Sequence, residues 1–276
     1  MDTDTVEKAV TTGRRKISLL TDDAPRYWLR SVLAGMYLSI VVIVFWTLTQ
    51  NLHDSPFGKV IASAFFGVGL SIIVFTNSEL FTSNNMYLAA SSGAHRTTWR
   101  QTAWLWTACW LGNFVGALLL SLLLLGAGVL TDLPPEHALH AGALHKAHQT
   151  ATVIFFKGIL ANWVVCLAVW IALRVKEDIT KIVAMILVVF MFLYLGFEHS
   201  IANMGTFLMS MLAGGSLSAA DAAFNLVFST AGNIVGGGLF IGLAYQYLSP
   251  GSVEEPPAIA PAAQAGSVPP QETRRA

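Results

Sequence analysis

Six long apolar runs constrain this chain more than any other feature of its sequence. They occupy approximately residues 31–50, 60–90, 102–130, 151–173, 181–212 and 223–248. Each run is long enough to cross a hydrocarbon core, which takes about 20 helical residues. Hydrophobic residues make up 54% of the 276 residues and charged residues only 12%, which leaves too little polar surface for a soluble globule. The sequence therefore predicts an all-α polytopic membrane protein with six transmembrane helices.

The distribution of Lys and Arg predicts how these helices are oriented. If both termini are cytoplasmic, the cytoplasmic segments contain 13 Lys and Arg residues, and the outer loops contain only Lys59 and Lys146. This bias is typical of multi-pass membrane proteins and requires an even number of spans. The first 30 residues carry charges throughout and lack the apolar core of a cleaved signal peptide.

The two ends of the chain differ from the transmembrane domain that is predicted over residues 29–248. Residues 1–28 form a predicted cytoplasmic segment, in which "TVEKAVTTGRRKISLL" is either a short basic amphipathic helix or a charge cluster that sets the topology. Residues 249–276 are rich in Pro, Ala and Gln, and this composition predicts a disordered cytoplasmic tail.

Short matching motifs recur in the two halves of the chain at an offset of about 120 residues. "SELFTSN" (78–84) and "FEHSIAN" (197–203) each contain a glutamate that is followed five residues later by an asparagine. "GNFVGALL" from Gly112 and "GNIVGGGL" from Gly232 match in the next run of each half. Because each repeat would contain three spans, the second copy must enter the membrane from the opposite side. The sequence thus predicts an inverted 3+3 repeat, which in transporters places the substrate site near the midplane.

Two of the runs are too long to cross the hydrocarbon core as one upright helix. Residues 60–90 and 181–212 would each extend about 45 Å, against about 30 Å of hydrocarbon. Each has a polar cluster near its middle, "TNSELFTSNN" in one and "GFEHSIANM" in the other. Irregular backbone at that depth is tolerated where it is buried in protein or lines a cavity. We therefore expect the second and fifth helices to be broken at mid-membrane; continuous, strongly tilted helices are the alternative.

Ionisable side chains within these runs are the first candidates for function. His199 is the sharpest, because histidine is the side chain that changes charge near neutral pH; a neutral histidine bonded within the bundle is the alternative. Glu79 and Glu198 are expected to have a structural role, by satisfying backbone N–H groups of the broken segments. Three further residues offer hydroxyl or amide contacts, either to a solute or between helices: Thr82, Asn162 and Asn203.

Basic residues beside the fourth run suggest an electrostatic role. Lys146 ends "HALHAGALHK", and a lysine at a pore mouth raises the local concentration of anions. Lys157 begins the fourth run and is expected to extend toward the interface. The four histidines of the outer loop are not predicted to bind a metal, since no cysteines or carboxylates converge with them. The sequence contains no nucleophile elbow, H-E-x-x-H motif or Gly-rich phosphate loop, so no enzymatic activity and no cofactor is predicted.

Four motifs in this order and spacing resemble the formate/nitrite transporter family: "SELFTSN", "GILANWVVCLAVW", "GFEHSIANM" and "GNIVGGGLF". The resemblance covers about residues 25–248, and "FFKGILANWVVCLAVWIALR" is most similar to the nitrite channel branch. It implies an aquaporin-like fold of six helices per protomer, in which the broken second and fifth helices line a pore. It also implies a homopentamer with one pore in each protomer.

The resemblance implies roles for individual residues as well. The central histidine of the family corresponds to His199, and its threonine partner to Thr82. The outer lysine corresponds to Lys146, and the pore asparagine of the fourth helix to Asn162. The hydrophobic constrictions correspond to Phe66 and Leu70 in one repeat, and to Val165 and Phe192 in the other.

These inferences predict a channel for nitrite in the bacterial inner membrane, in which His199 exchanges a proton or a hydrogen bond with the anion. A bare ion in hydrocarbon costs on the order of tens of kcal/mol, so the anion must be neutralised or paired between the constrictions. Formate or hydrosulfide is the alternative substrate, and an aquaporin-type pore for neutral solutes is the alternative class. The expected partners are the anion, the lipid bilayer and further copies of the chain, but not nucleic acid.

Overall fold

A computed structural model describes residues 3–249, and within this range the chain is almost entirely helical. The predicted tail lies outside the described residues apart from Ser249. The helices in chain order are α1 (Thr3–Asp22), α2 (Ala24–Asn51), α3 (Gly58–Phe75), α4 (Phe81–Gly93), α5 (Trp99–Gly126), α6 (Ala138–Ala147), α7 (Ala151–Arg174), α8 (Asp178–Tyr194), α9 (Ser200–Leu212), α10 (Ala219–Ile234), a π-helical segment (Val235–Leu243) and α11 (Ala244–Tyr247).

Side-chain caps set where several of these helices begin. Asp23 accepts a hydrogen bond from the backbone N–H of Arg26 at 3.3 Å and so caps α2. Thr98 and Gln101 form a reciprocal capping box at the start of α5. These bonds satisfy backbone donors that have no partner within the helix, which fixes the helix start in the sequence.

Within the described range, five helices are long and apolar enough to cross a membrane: Ala24–Asn51, Gly58–Phe75, Trp99–Gly126, Ala151–Arg174 and Ala219–Tyr247. The predicted run 181–212 is divided between α8, which has 17 residues, and α9, which has 13. Neither belongs to those five helices. The chain is thus a multi-pass membrane protein by its apolar helices, and the count of six spans stays a prediction.

Two short connections interrupt the predicted second and fifth runs. Residues 76–80 separate α3 from α4, and residues 195–199 separate α8 from α9. Each connection contains one residue in the left-handed region, Asn77 (φ 53°) in the first and Gly196 (φ 68°) in the second. Asparagine and glycine are the residues that adopt this conformation most readily, so both sequences favour the end of a helix there.

Close contacts between helices depend on glycine. The most extensive helix pairs are α2 with α5, α7 with α10, and α3 with α8. A Cβ atom on Gly116 of α5 would overlap with the carbonyl oxygen of Val32 on α2, and one on Gly232 of α10 would overlap with that of Phe155 on α7. Small residues of this kind let membrane helices approach closely, where packing replaces the hydrophobic effect.

We expect Gly116→Ala to destabilise the folded protein, because the methyl group would meet backbone that cannot rotate away. Overpacking of this kind costs about 1–3 kcal/mol. Gly126→Ala on the same helix is the matched control, since nothing lies within 4 Å of the Cβ atom it would add. The measurement is the melting temperature of the purified protein in detergent. Equal melting temperatures for the two variants would contradict this packing argument.

Candidate functional site

A buried asparagine of α5 holds the segment that precedes α4. The Asn113 Oδ1 atom accepts a hydrogen bond from the backbone N–H of Phe81, the first residue of α4, at 2.9 Å. The Asn113 Nδ2 atom donates to the carbonyl oxygens of Ser31 at 2.7 Å and Glu79 at 2.9 Å. This single side chain therefore satisfies backbone groups of two other elements at a depth where water is scarce.

Asn233 of α10 does the same for the segment that precedes α9. Its Oδ1 atom accepts from the backbone N–H of Ser200, the first residue of α9, at 2.9 Å. Its Nδ2 atom donates to the carbonyl oxygens of Gly158 at 2.8 Å and Glu198 at 2.9 Å. The two asparagines thus bind corresponding positions at the two helix starts.

The carboxylate of Glu198 is fully buried and accepts hydrogen bonds from several side chains. Its Oε2 atom accepts from Lys146 Nζ at 3.1 Å, and from the amide nitrogen of Asn203 at 2.6 Å. Its Oε1 atom accepts from Gln149 Nε2 at 3.0 Å. A buried charge is tolerated only when it is paired and bonded in this way.

Glu79 lies in a sparser version of the same arrangement. Its Oε2 atom accepts from Lys16 Nζ of α1 at 2.7 Å and from Asn84 Nδ2 at 3.0 Å. The glutamates therefore bond lysine and asparagine side chains, whereas Asn113 and Asn233 bond the first backbone amides of α4 and α9. The residues that satisfy those amides are thus different from the predicted ones.

Charged cavities lie at two ends of the bundle. The first, here called the α6 vestibule, has a volume of about 610 Å³, and its basic lining residues are His53, Lys59, His145, Lys146 and Lys157. The second, here called the α1 vestibule, has a volume of about 370 Å³, and its basic lining residues are Arg15, Lys16 and Arg30. Glu198 lines the first vestibule and Glu79 the second.

Two much smaller cavities connect the vestibules. One of about 20 Å³ shares Lys146 with the α6 vestibule, and one of about 10 Å³ shares Leu80 with the α1 vestibule. His199 lines both small cavities. Because each has room for about one water molecule at most, the line of cavities is closed to a larger solute in this conformation.

The four predicted constriction residues meet around the smaller of these cavities. Phe66, Leu70, Val165 and Phe192 all contribute to its wall. Phe66 and Phe192 also line the other small cavity, and their rings meet edge to face with centroids 5.7 Å apart. The structure therefore brings together residues from α3, α7 and α8 into one apolar narrowing beside His199.

His199 occupies the N-cap position of α9. Its Nδ1 atom accepts a hydrogen bond from the backbone N–H of Ala202 at 3.2 Å, and its ring stacks on that of Phe192 with centroids 5.6 Å apart. A nitrogen that accepts from a backbone N–H carries no proton, so the proton of the neutral ring is on Nε2. Within residues 3–249 that second nitrogen has no hydrogen-bond partner. It is therefore free to donate to a solute.

The other predicted polar residues are placed differently. Asn203 lines the 20 Å³ cavity beside His199. Asn162 donates through Nδ2 to the carbonyl oxygens of Thr82 at 3.1 Å and Asn233 at 2.7 Å, and neither Asn162 nor Thr82 lines one of the four cavities. The Thr82 hydroxyl is buried without a hydrogen-bond partner among the described residues.

Helix α6, which lies outside the candidate spans, is held by two histidines. His137 caps its start by accepting from the backbone N–H of Leu139 at 3.2 Å, and His140 Nδ1 lies 2.9 Å from the hydroxyl of Ser210 on α9. Burial lowers the pKa of both histidines, and the neighbouring His140 lowers the pKa of His137 further. Burial thus favours the neutral form of both histidines, and both help to fix α6, which carries Lys146.

Sequence reasoning overlooked several members of this site. Lys16 lies in the basic N-terminal segment, and nothing in its local pattern pairs it with Glu79. In the sequence, Asn113 and Asn233 only mark the repeat, and no motif assigns a role to Gln149. Their partners lie far away in the sequence, so only the folded chain shows them.

A bundle of apolar helices in which two charged vestibules are joined by a narrow line of cavities is the architecture of a membrane channel or transporter. Residues 3–247 match the family model described as formate/nitrite transporter. The nitrite transporter NirC of Salmonella typhimurium is 36% identical over 262 residues, which cover 94% of this chain and 96% of that protein. The chain therefore belongs to the formate/nitrite transporter family, as predicted.

Solved structures agree with this assignment. A structure described as an FNT family ion channel superposes with a TM-score of 0.86 at 35% identity, covering 90% of this chain and 100% of the other. A pentameric formate channel with formate bound superposes with a TM-score of 0.72 at 29% identity, covering 82% of this chain and 98% of the other. The relatives are thus transporters and channels rather than enzymes.

Proposed function

We propose that this protein is a channel for nitrite across the bacterial inner membrane. The observation that carries the proposal is the line of four cavities that runs from Lys146 past His199 to Lys16. Basic residues at both ends suit an anion, and the similarity to a nitrite transporter favours nitrite. Formate is the second candidate, supported by the similarity to a formate-bound channel.

The proposal includes an aquaporin-like inverted repeat, in which residues 76–80 and 195–199 are the mid-membrane breaks of the second and fifth spans. Matched hydrogen bonds support it. The N–H groups of Glu79 and Glu198 donate to the carbonyl oxygens of Arg30 at 3.1 Å and Lys157 at 3.3 Å. Each glutamate also accepts from an asparagine five residues later and from a lysine of a preceding helix.

We assign the α6 vestibule to the outer side and the α1 vestibule to the cytoplasm. The excess of Lys and Arg on the predicted cytoplasmic segments supports this orientation and two cytoplasmic termini. In this arrangement residues 29–248 form the channel domain, and α1 lies in the preceding cytoplasmic segment. A homopentamer is supported by the similarity to a pentameric channel.

The transport step that we propose centres on His199. An anion entering from the α6 vestibule meets the Lys146 ammonium, passes Phe66 and Phe192, and receives a hydrogen bond from His199 Nε2–H. The resting ring is neutral and carries its single proton on Nε2, because Nδ1 accepts from the Ala202 N–H. Delivery of a proton would require protonation at Nδ1 and loss of that cap. We therefore propose a hydrogen bond in the resting state, with proton transfer as a later step.

We propose that Thr82, Asn162 and Asn203 complete the pathway in supporting roles. Asn203 lies beside His199 and offers an amide near the passing anion. Asn162 holds the Thr82 carbonyl at the start of α4. The buried, unbonded Thr82 hydroxyl is a donor that opening of the pathway would expose to solute.

Flux through reconstituted liposomes tests the function directly. Nitrite, formate, hydrosulfide and glycerol are compared at equal concentration, with protein-free liposomes as the control. We expect nitrite to cross fastest and glycerol not to cross above the control. Glycerol flux without anion flux would overturn the proposal in favour of a neutral-solute pore.

A further inference from the structure

The charges of the α6 vestibule are unequally compensated. Lys146 and Lys157 both line it, as does the carboxylate of Glu198. The Lys146 ammonium bonds directly to Glu198 Oε2 at 3.1 Å, and this pair is largely shielded from solvent. A paired charge contributes little field beyond its partner, because the two opposite charges cancel at a distance.

Lys157 is held by a neutral group instead. Its Nζ atom donates to the amide oxygen of Gln149 at 2.7 Å, and the Gln149 amide nitrogen in turn donates to Glu198 Oε1 at 3.0 Å. No carboxylate of the described residues lies within 4.0 Å of the Lys157 ammonium. Gln149 therefore fixes the position of this charge without neutralising it.

Lys157 also lies deeper than the other unpaired lysine of the vestibule. Lys59 is exposed, and its ammonium lies over the ring of Tyr194, 5.0 Å from the centroid. Lys157 is half-buried at the start of α7. A charge in a recess with apolar walls is screened less by water and salt than a charge on the rim.

We infer that Lys157, rather than Lys146, supplies the charge that captures a small monovalent anion in the α6 vestibule, at its ammonium beside Gln149. This inference rests on the proposed function, because it names where the transported anion is first held. Lys146, whose charge Glu198 balances, then acts further in, where it lines both the vestibule and the 20 Å³ cavity.

Arg30 occupies the corresponding position in the α1 vestibule. Its carbonyl oxygen accepts from the Glu79 N–H, as the carbonyl of Lys157 accepts from the Glu198 N–H. Lys16 is the lysine that pairs with Glu79, and Arg30 lines the vestibule with no carboxylate of the described residues in ion-pair distance. Each vestibule thus contains a lysine that pairs with a glutamate, Lys146 in one and Lys16 in the other. Each also contains a basic residue, Lys157 or Arg30, whose carbonyl oxygen accepts from the N–H of that glutamate.

The test uses nitrite uptake into right-side-out membrane vesicles that contain the full chain. Lys157→Gln should lower uptake at subsaturating nitrite and low ionic strength by about three- to tenfold. The difference should shrink near 1 M impermeant salt, where the Debye length is about 3 Å. At saturating nitrite the variant should approach the wild-type rate. Lys157→Arg, which keeps the charge, should behave like wild type.

Lys59→Gln is the matched control, because it removes an equal charge from the rim of the same vestibule. It should lower uptake at low salt far less than Lys157→Gln. An equal effect of the two variants, or a loss with Lys157→Gln that salt and saturating nitrite leave unchanged, overturns the inference. If wild-type vesicles take up neither nitrite nor formate, the proposed function fails instead.

Discussion

Asn233→Ala is expected to lower the stability of the folded protein by several kcal/mol. The substitution removes the acceptor for the Ser200 N–H, and the donor for the carbonyl oxygens of Gly158 and Glu198. These backbone groups are buried among helices, where water cannot replace the amide. Each unsatisfied group costs about 1–3 kcal/mol, so for three groups we expect a loss of about 3–9 kcal/mol.

The measurement is thermal unfolding of the purified protein in detergent. A protein of this size loses about 2–4 °C in melting temperature per kcal/mol, so the expected decrease is about 6 °C or more. Asn51→Ala is the control, because Asn51 is exposed at the end of α2. Asn113→Ala should resemble Asn233→Ala, since Asn113 makes the corresponding bonds to Phe81, Ser31 and Glu79. If the melting temperature of Asn233→Ala lies within about 2–3 °C of wild type, the hydrogen bonds of Asn233 are not needed for stability.

Asn113 and Asn233 show which features can be predicted from a sequence and which cannot. The motif around Gly232 and Asn233 was visible as one half of a repeat, because repetition is a property of the sequence alone. The bond from Asn233 to Ser200 joins residues that are far apart in the chain. Its existence depends on how α10 packs beside α9, which no local pattern encodes.

The ends of helices are easier to predict from the sequence than the contacts between helices. The polar clusters predicted interruptions within 60–90 and 181–212. The helices end and restart there, at connections that contain left-handed Asn77 and Gly196. Lys16 shows the opposite situation. Its sequence neighbours indicate an amphipathic surface helix, whereas packing of α1 against α4 places it half-buried beside Glu79.

The resemblance supplied the constriction residues, which periodicity alone leaves unspecified. Phe66 and Leu70 share a helix face by their spacing, but nothing in that spacing selects Phe192 of α8 as their partner. The structure brings all three to one cavity wall. The role implied for Asn162 in the pore stays a prediction, because its amide is bonded to two backbone carbonyls.

His199→Phe is expected to reduce nitrite flux by about 100-fold or more, since the hydrogen bond to an anion in the narrowing is worth about 3 kcal/mol when the site is otherwise apolar. Phenylalanine keeps an aromatic ring to stack on Phe192 but can neither donate nor take up a proton. It also loses the cap on Ala202, which costs about 1 kcal/mol. Flux is measured in liposomes and assembly by size-exclusion chromatography. Wild-type flux in this variant would remove His199 from the mechanism.

His199→Asn separates the hydrogen bond from the proton. Asparagine is a preferred N-cap residue, so it can accept from the Ala202 N–H and still donate from its amide, but it cannot supply a proton near neutral pH. If the anion needs only a hydrogen bond, this variant should retain much of the flux that His199→Phe loses. If the anion must be protonated by the ring, both variants should lose proton-coupled uptake.

The pH profile decides between these two outcomes. A histidine that exchanges a proton during transport should make wild-type uptake vary with pH, and asparagine should abolish that variation while the cap and the fold remain. Co-transport of protons is read from a pH-sensitive dye inside the liposomes. If His199→Asn keeps wild-type proton-coupled flux with an unchanged profile, the proton comes from elsewhere. His199 would then be a hydrogen-bond donor and the cap of α9, and nothing more.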